Sequence, residues 1–250
     1  MQMKLAIAGG TGLVGRHVVA AAEAQGHEVT VLSRSLGVDV VTGDGLTDAL
    51  TGVQTIVDVT NSPSQDEQPA TDFFVAAAGN LQRVGAQCGV EHIVTLSIVG
   101  IDELPTGYYA AKLAHERVAA AGPVPATILR ATQFHEFPAQ MIGWAVPDGV
   151  AHLPDLTVQT VAARTVAEVL VELAGAQPIG RAADLAGPDE RQLIDLARTF
   201  VARRGREIVV EPDVRAGIPP RALMPGAGAR VEPPSFEEWL DGADAAALAL

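Results

Sequence analysis

Short apolar runs rich in valine and isoleucine alternate along the first half of the chain with longer segments whose apolar residues recur every three or four positions. That alternation predicts strands at 4–8, 28–33, 38–42, 55–59, 92–97 and 126–130, with helices at 13–25, 70–88 and 108–121. Strands that are apolar throughout and separated by helices are what a parallel sheet buried on both faces requires. The expected fold class is therefore α/β, a doubly wound parallel sheet with helices on both faces and right-handed crossovers.

After Arg130 the alternation loosens. Pro138, Pro147, Gly149 and Pro154 interrupt residues 134–154, which are expected to be irregular. Helical patterns resume at 165–174 and 191–204. Residues 212–234 are rich in Pro and Gly and read either as a loop over a site or as a poorly ordered excursion. A last amphipathic turn at 236–240 pins the tail. The organisation expected is one domain over residues 1–250, with a cofactor-binding core at 1–135 and a smaller substrate-side lobe at 136–250.

Composition narrows the function classes. The 250 residues carry a formal charge of −13 and a sequence pI near 4.8, without the clustered Lys and Arg that phosphate contacts along a nucleic acid need. Cys88 is the only cysteine, so an intrachain disulfide and a multi-cysteine zinc site are excluded and a reducing cytoplasm fits. The apolar run after Lys4 is too short for a signal-peptide core or a membrane span. Six histidines are present, none in a metal-ligand spacing, and no metal is expected. Ser97 lacks the glycine two residues earlier that a hydrolase nucleophile elbow needs.

Candidate chemistry begins at the first strand-to-helix turn, Gly9-Gly10-Thr11-Gly12-Leu13-Val14-Gly15. In this position Gly9 lets the chain turn sharply, Gly12 lets backbone approach a pyrophosphate, and Gly15 lets helix and strand pack closely. Backbone N–H groups of Thr11, Leu13 and Val14 then surround the positive end of the helix, where anions bind. The expectation is a dinucleotide-binding turn of a Rossmann-like fold; the alternative is simply a tight strand-to-helix turn. The second strand ends Leu32-Ser33-Arg34-Ser35, with no acid to accept ribose hydroxyls. Arg34 clamps a phosphate with paired bonds and Ser33 can donate to it, so NADP(H) is the expected cofactor, unless Arg34 is only a solvated charge. Asp44 reads as a turn-forming residue beside Gly45 or, by its resemblance to the acid that a dehydrogenase family places after its third strand, as a group near the adenine.

Ser97, Tyr108 and Lys112 supply a second constellation. Tyr-x-x-x-Lys places phenol and ammonium on one helical face, unless Tyr108 only starts an amphipathic helix and Lys112 is a surface charge. A phenol of pKa about 10 needs a neighbouring cation to exchange protons near neutrality, and Tyr109 lacks a lysine at that spacing. The Gly-x-x-Gly-x-x-Gly turn together with Ser…Tyr-x-x-x-Lys resembles the short-chain dehydrogenase/reductase superfamily, over residues 1 to about 135. The resemblance implies that Tyr108 is general acid towards a carbonyl oxygen, that Ser97 steadies this oxygen, and that Lys112 also bonds the nicotinamide ribose.

The run Leu129-Arg130-Ala131-Thr132-Gln133-Phe134 is similar to a segment of the NmrA-like atypical branch, with Ala131 where that branch has proline. It implies that backbone at Ala131 and Thr132 lies beside the nicotinamide. Phe134, His135, Met141 and Trp144 are the substrate candidates; Phe134, residues 141–144 and the 212–234 stretch are apolar or flexible, which favours a small, largely apolar molecule. The expected activity is NADP(H)-dependent reduction of a carbonyl or conjugated group. The alternatives are a non-catalytic NADP(H) sensor, which the NmrA-like resemblance allows, and, ranked lower, an epimerase or dehydratase. A homodimer is compatible with the resemblance; a nucleic-acid or membrane partner is not expected.

Overall fold

The computed structural model describes residues 2–145, 149–213 and 217–248. The chain runs β1 (Lys4–Ala8), α1 (Leu13–Ala24), β2 (Glu28–Leu32), α2 (Leu46–Ala49), β3 (Thr55–Asp58), α3 (Glu67–Cys88), β4 (His92–Ile98), α4 (Gly107–Ala121) and β5 (Ala126–Ala131). It continues through α5 (Phe137–Ala145), β6 (Val150–Leu153), β7 (Thr157–Val158), α6 (Ala163–Ala174), β8 (Gly180–Arg181), β9 (Leu185–Ala186) and β10 (Arg191–Gln192). Last come α7 (Leu193–Arg203), β11 (Val209–Pro212), β12 (Arg230–Val231), α8 (Phe236–Leu240) and α9 (Ala243–Ala246). These elements form two compact units, Met1–Arg130 with Val166–Ala183, and Ala131–Thr165 with Asp184–Leu250.

In the first unit the strands lie in the order β5-β4-β3-β1-β2, with β8 beside β5. Pairing is parallel, with Leu5 opposite both Val29 and Thr55, and Ile56 opposite Ile93. The strand order reverses between β1 and β3, so the crevice at their carboxyl ends is where a ligand of such a sheet binds. The sheet is held by its own side chains: Ala6, Ala8, Leu32 and Ile56 pack with Leu46, Leu50, Leu81 and Val84 on one face. This is the Rossmann-like, doubly wound architecture expected.

The stretch expected as a strand at 38–42 is a turn. Asp39 explains it: its carboxylate accepts from the backbone N–H groups of Val41 and Thr42, a local bond that competes with ladder pairing. Val38 still packs into the core, which is why the apolar pattern looked strand-like.

In the second unit Ala131 pairs with Leu185 of β9, and β12 runs alongside β9. β11 pairs in parallel with β6, and β10 antiparallel with β7. The segment expected to be irregular at 134–154 contains α5 and β6. Pro138 is second in α5, where its missing N–H breaks no helical bond. Within 212–234, Ala222 and Leu223 are buried and the Pro220 carbonyl accepts from Thr157 N–H at 2.7 Å. α8 forms at 236–240 as expected, with Ser235 and Glu238 completing a capping box.

Candidate active site

The glycine turn works by close approach. Gly9 has φ +81°, and a Cβ there would sit 2.7 Å from the Val59 carbonyl oxygen. At Gly15 a Cβ would meet the Gly9 oxygen at 2.1 Å, so only glycine lets α1 pack against this turn. Gly12 begins α1 with no side-chain cap and no acidic residue in the first turn, leaving the helix N-terminus open to an anion.

From this turn a groove of about 560 Å³ extends past the end of β2. Gly9, Thr11, Gly12, Ser33 and Arg34 line it, as do Asp39 and Val40 of the 38–42 turn and Asn61 and Ser62 beyond β3. Leu13, Val14 and Gly15 follow in α1 behind this lining. Arg34 is exposed within a short 3-10 turn, Arg34–Leu36, and the Ser33 and Ser35 hydroxyls lie 3.0 Å apart. An uncapped helix N-terminus, glycines in close approach and an exposed guanidinium are a donor set that fits an anionic dinucleotide. Asp44 is not part of the lining; it accepts from the Thr42 hydroxyl, and Asp39 is the acid that reaches the groove.

Ser97 lies next to the last residue of β4, buried, and its Oγ has no hydrogen-bond partner among the described residues. Such a hydroxyl is costly unless something meets it. Tyr108, in the first turn of α4, donates to the side-chain carbonyl of Asn61 at 2.5 Å and packs edge-on against Phe74. Asn61 lines the groove, and Tyr108, which is not itself in that lining, is bonded to it through Asn61.

Lys112 is fully buried one turn further along α4. Its ammonium donates to the Leu96 carbonyl at 2.9 Å and lies 2.8 Å from His115 Nδ1, while His115 Nε2 lies 2.8 Å from Asp58 Oδ2. Burial pulls Lys112 down to about 8, with the charges of Asp58 and Glu116 resisting. Burial works against Asp58 too, but His115 and the Thr60 N–H and hydroxyl outweigh it and hold the carboxylate at about 2. The cation expected to favour the Tyr108 phenolate is thus engaged elsewhere. Burial first, and Tyr109 second, push that phenol above its ordinary value, and it stays protonated.

Four groups of this region escaped the sequence reading: Asp39, Asp58, Asn61 and His115. Two carried a signal. Asp58 closes an otherwise apolar strand at its carboxyl end, where ligands of open α/β sheets bind, and His115 stands three residues after Lys112, on the same helical face.

In the second unit, Ala131 is buried in its pairing with Leu185, and Thr132 donates its N–H to Leu185 O and its hydroxyl to Gln159 O. Phe134 is partly buried and bridged to Val161, and Met141 is partly buried on α5. The Trp144 side chain lies outside the described residues. His135, expected to meet substrate, is closed off: it is 1% exposed, its Nδ1 is 2.8 Å from the Thr160 hydroxyl and its Nε2 is 3.0 Å from Pro234 O. Its ring packs on Phe236 and Trp239, and burial lowers it to about 4. It is the anchor of α8, a use of histidine that sequence cannot distinguish from ligand binding.

Among the described residues no group of three or more His, Cys, Asp or Glu is placed to hold a metal, and no helix is long and apolar enough to cross a membrane.

A model of the family described as NAD(P)H-binding matches residues 9–177. No curated protein matches the chain in sequence. Among solved structures it is similar to a dTDP-4-dehydrorhamnose reductase from Bacillus anthracis in complex with NADP, at 14% identity and TM-score 0.74, covering 96% of this chain and 98% of that one. A UDP-glucose 4-epimerase from Thermus thermophilus in complex with NAD matches at 19% identity and TM-score 0.69, covering 89% and 90%. A short-chain dehydrogenase/reductase superfamily protein from Agrobacterium tumefaciens with bound NAD matches at 17% identity and TM-score 0.71, covering 97% and 96%. At these identities the likeness is one of fold.

Proposed function

Because the chain belongs to the NAD(P)H-binding family, we propose that it is an NADP(H)-dependent oxidoreductase of the short-chain dehydrogenase/reductase type, reducing a carbonyl or conjugated group of a small, largely apolar molecule. The observation that carries this reading is the hydrogen bond from Tyr108 to Asn61, which ties the proton donor to the groove holding the glycine turn and Arg34. The apolar substrate rests on the sequence of residues 134–144, and the lone Cys88 suits the reducing cytoplasm proposed for the protein.

Arg34 and Ser33 would bind the 2′-phosphate, and the turn at Gly9 to Gly15 the pyrophosphate. A nicotinamide bound there would supply or accept the hydride. Tyr108, neutral at rest, gives its hydroxyl proton to the oxygen on which charge develops. The Ser97 hydroxyl donates a hydrogen bond to the same oxygen. Lys112, held by the Leu96 carbonyl and His115 rather than by Tyr108, would bond the nicotinamide ribose, as the resemblance to the short-chain dehydrogenase/reductase superfamily implies.

NADPH and NADH titrations, followed by a carbonyl panel with the tighter cofactor, test both halves. Preference for NADPH and consumption that depends on Tyr108 support the reading; equal binding, or no consumption with any carbonyl, removes the corresponding half.

A second reading, a cofactor sensor of the NmrA-like type, draws support from one feature: Lys112 is bonded to His115 rather than to Tyr108. It requires tight, redox-selective binding without turnover. An epimerase is separated from both by oxidised cofactor retained through purification.

A further inference from the structure

Asp58, His115 and Lys112 form a hydrogen-bonded row buried from end to end, with side chains drawn from β3 and α4. The chemistry of the ends fixes the middle. An ammonium only donates and a carboxylate only accepts, so the imidazole between them accepts at Nδ1 and donates at Nε2. His115 is thereby held as the neutral Nε2–H tautomer.

The surroundings reinforce that arrangement. Thr60 donates its N–H and its hydroxyl to the other Asp58 oxygen, at 3.0 and 2.7 Å. The Phe74 ring of α3 stacks on His115, with centroids 4.8 Å apart, and lies 4.6 Å beneath the Lys112 nitrogen. β4 contributes the Leu96 carbonyl. The nearby Glu116 of α4 is bound through both oxygens by Arg130 of β5, each contact 2.7 Å. Of the three N–H donors of Lys112, two are spoken for.

We propose that Asp58 and His115 are positioning residues for Lys112, holding its ammonium charged and in one orientation. This rests on the role proposed for Lys112 above. The charged groups facing the row are Asp58 from β3, Lys112 and Glu116 from α4 and Arg130 from β5, with Tyr108 behind the Phe74 ring. Burial favours loss of the lysine charge as pH rises, and the Asp58 and Glu116 charges oppose that loss.

The chain has only two lysines, Lys4 and Lys112, so protein labelled with ¹³Cε-lysine gives two signals whose midpoints are read directly by NMR, without substrate. The full-length parent should show Lys112 titrating at about 8. Asp58→Asn should move that midpoint down by about one unit. His115→Phe, which keeps a ring over Phe74 but offers no acceptor, should also lower it, and His115→Asn, which restores an acceptor near Lys112, should lower it less. An unchanged Lys112 midpoint in Asp58→Asn and His115→Phe overturns the proposal. Should Asp58→Asn fail to fold, equal midpoints in the two His115 variants overturn it. Shifted midpoints without turnover on any carbonyl would remove the oxidoreductase reading alone; turnover with unmoved midpoints would remove this one alone.

Discussion

The Tyr108 hydroxyl donates to Asn61, and this one bond joins the first turn of α4 to the groove beyond β3. This is the phenol proposed above as the proton donor. Tyr108→Phe keeps the ring against Phe74 and removes the proton. Turnover should fall by roughly 10²- to 10⁴-fold, the range for loss of a general acid, while NADPH binding stays within about twofold. Full activity in this variant would show that the proton comes from elsewhere.

Arg34 stands exposed in the lining of the groove and is proposed to bind the 2′-phosphate. Charge-assisted hydrogen bonds are worth about 1.5–3 kcal/mol, so Arg34→Ala should weaken NADPH binding roughly 10- to 100-fold and leave NADH nearly unchanged. Fluorescence titration with both cofactors measures the ratio. Equal losses for the two would mean that Arg34 is a general rather than a 2′-phosphate contact.

Gly15→Ala puts a methyl group where the Gly9 carbonyl oxygen already is, 2.1 Å from the new Cβ. Backbone, not a flexible side chain, has to move. Destabilisation of about 1–3 kcal/mol is expected from overpacking of this kind, together with weakened cofactor binding because the turn itself is displaced. Urea denaturation and a binding titration read the two effects on one sample.

Glu136 supplies a pH dependence of stability. Buried to 1% exposure, it is pushed up to about 7 by burial, with Asp244 adding to the shift and the backbone N–H groups of Glu136 and Ala163 opposing it. An acid whose folded pKa is raised favours the fold in its protonated form. It costs nothing below about 4.5, the unfolded value, and its cost grows until pH passes about 7. The accumulated penalty is on the order of 3 kcal/mol at most. Glu136→Gln should therefore match the parent in thermal stability at pH 4.5 and exceed it at pH 8, and a variant that tracks the parent at both would rule the effect out.

Much of the fold was legible because it rests on period and punctuation. Gly9, Gly12 and Gly15 announced a strand, a turn and a helix, and the amphipathic turn read at Phe236 to Leu240 is a short helix that Ser235 caps. What misled was local competition. Asp39 turned an apolar run out of the sheet, and Pro138 looked like a breaker yet occupies the one end of a helix that tolerates it. For the candidate site, the spacing of Tyr108 and Lys112 put both on one helix. It said nothing about what else would bid for the ammonium. That competition depends on Asp58, 54 residues earlier in the sequence, and contacts at such separation leave no periodic trace.

Residues Val166–Ala183 belong with Met1–Arg130, although Ala131–Thr165 lies between them in the chain. Within that returning stretch, Gly180 and Arg181 pair with Thr127 and Ile128 of β5, and the Thr55 hydroxyl donates to the Ala174 carbonyl at 3.2 Å. A growing chain that has emerged only as far as Arg130 leaves the outer side of β5 unzipped and the Thr55 hydroxyl without its acceptor. The groove-bearing unit is completed late, after the polypeptide has left it, laid down thirty-five residues of the other unit and come back.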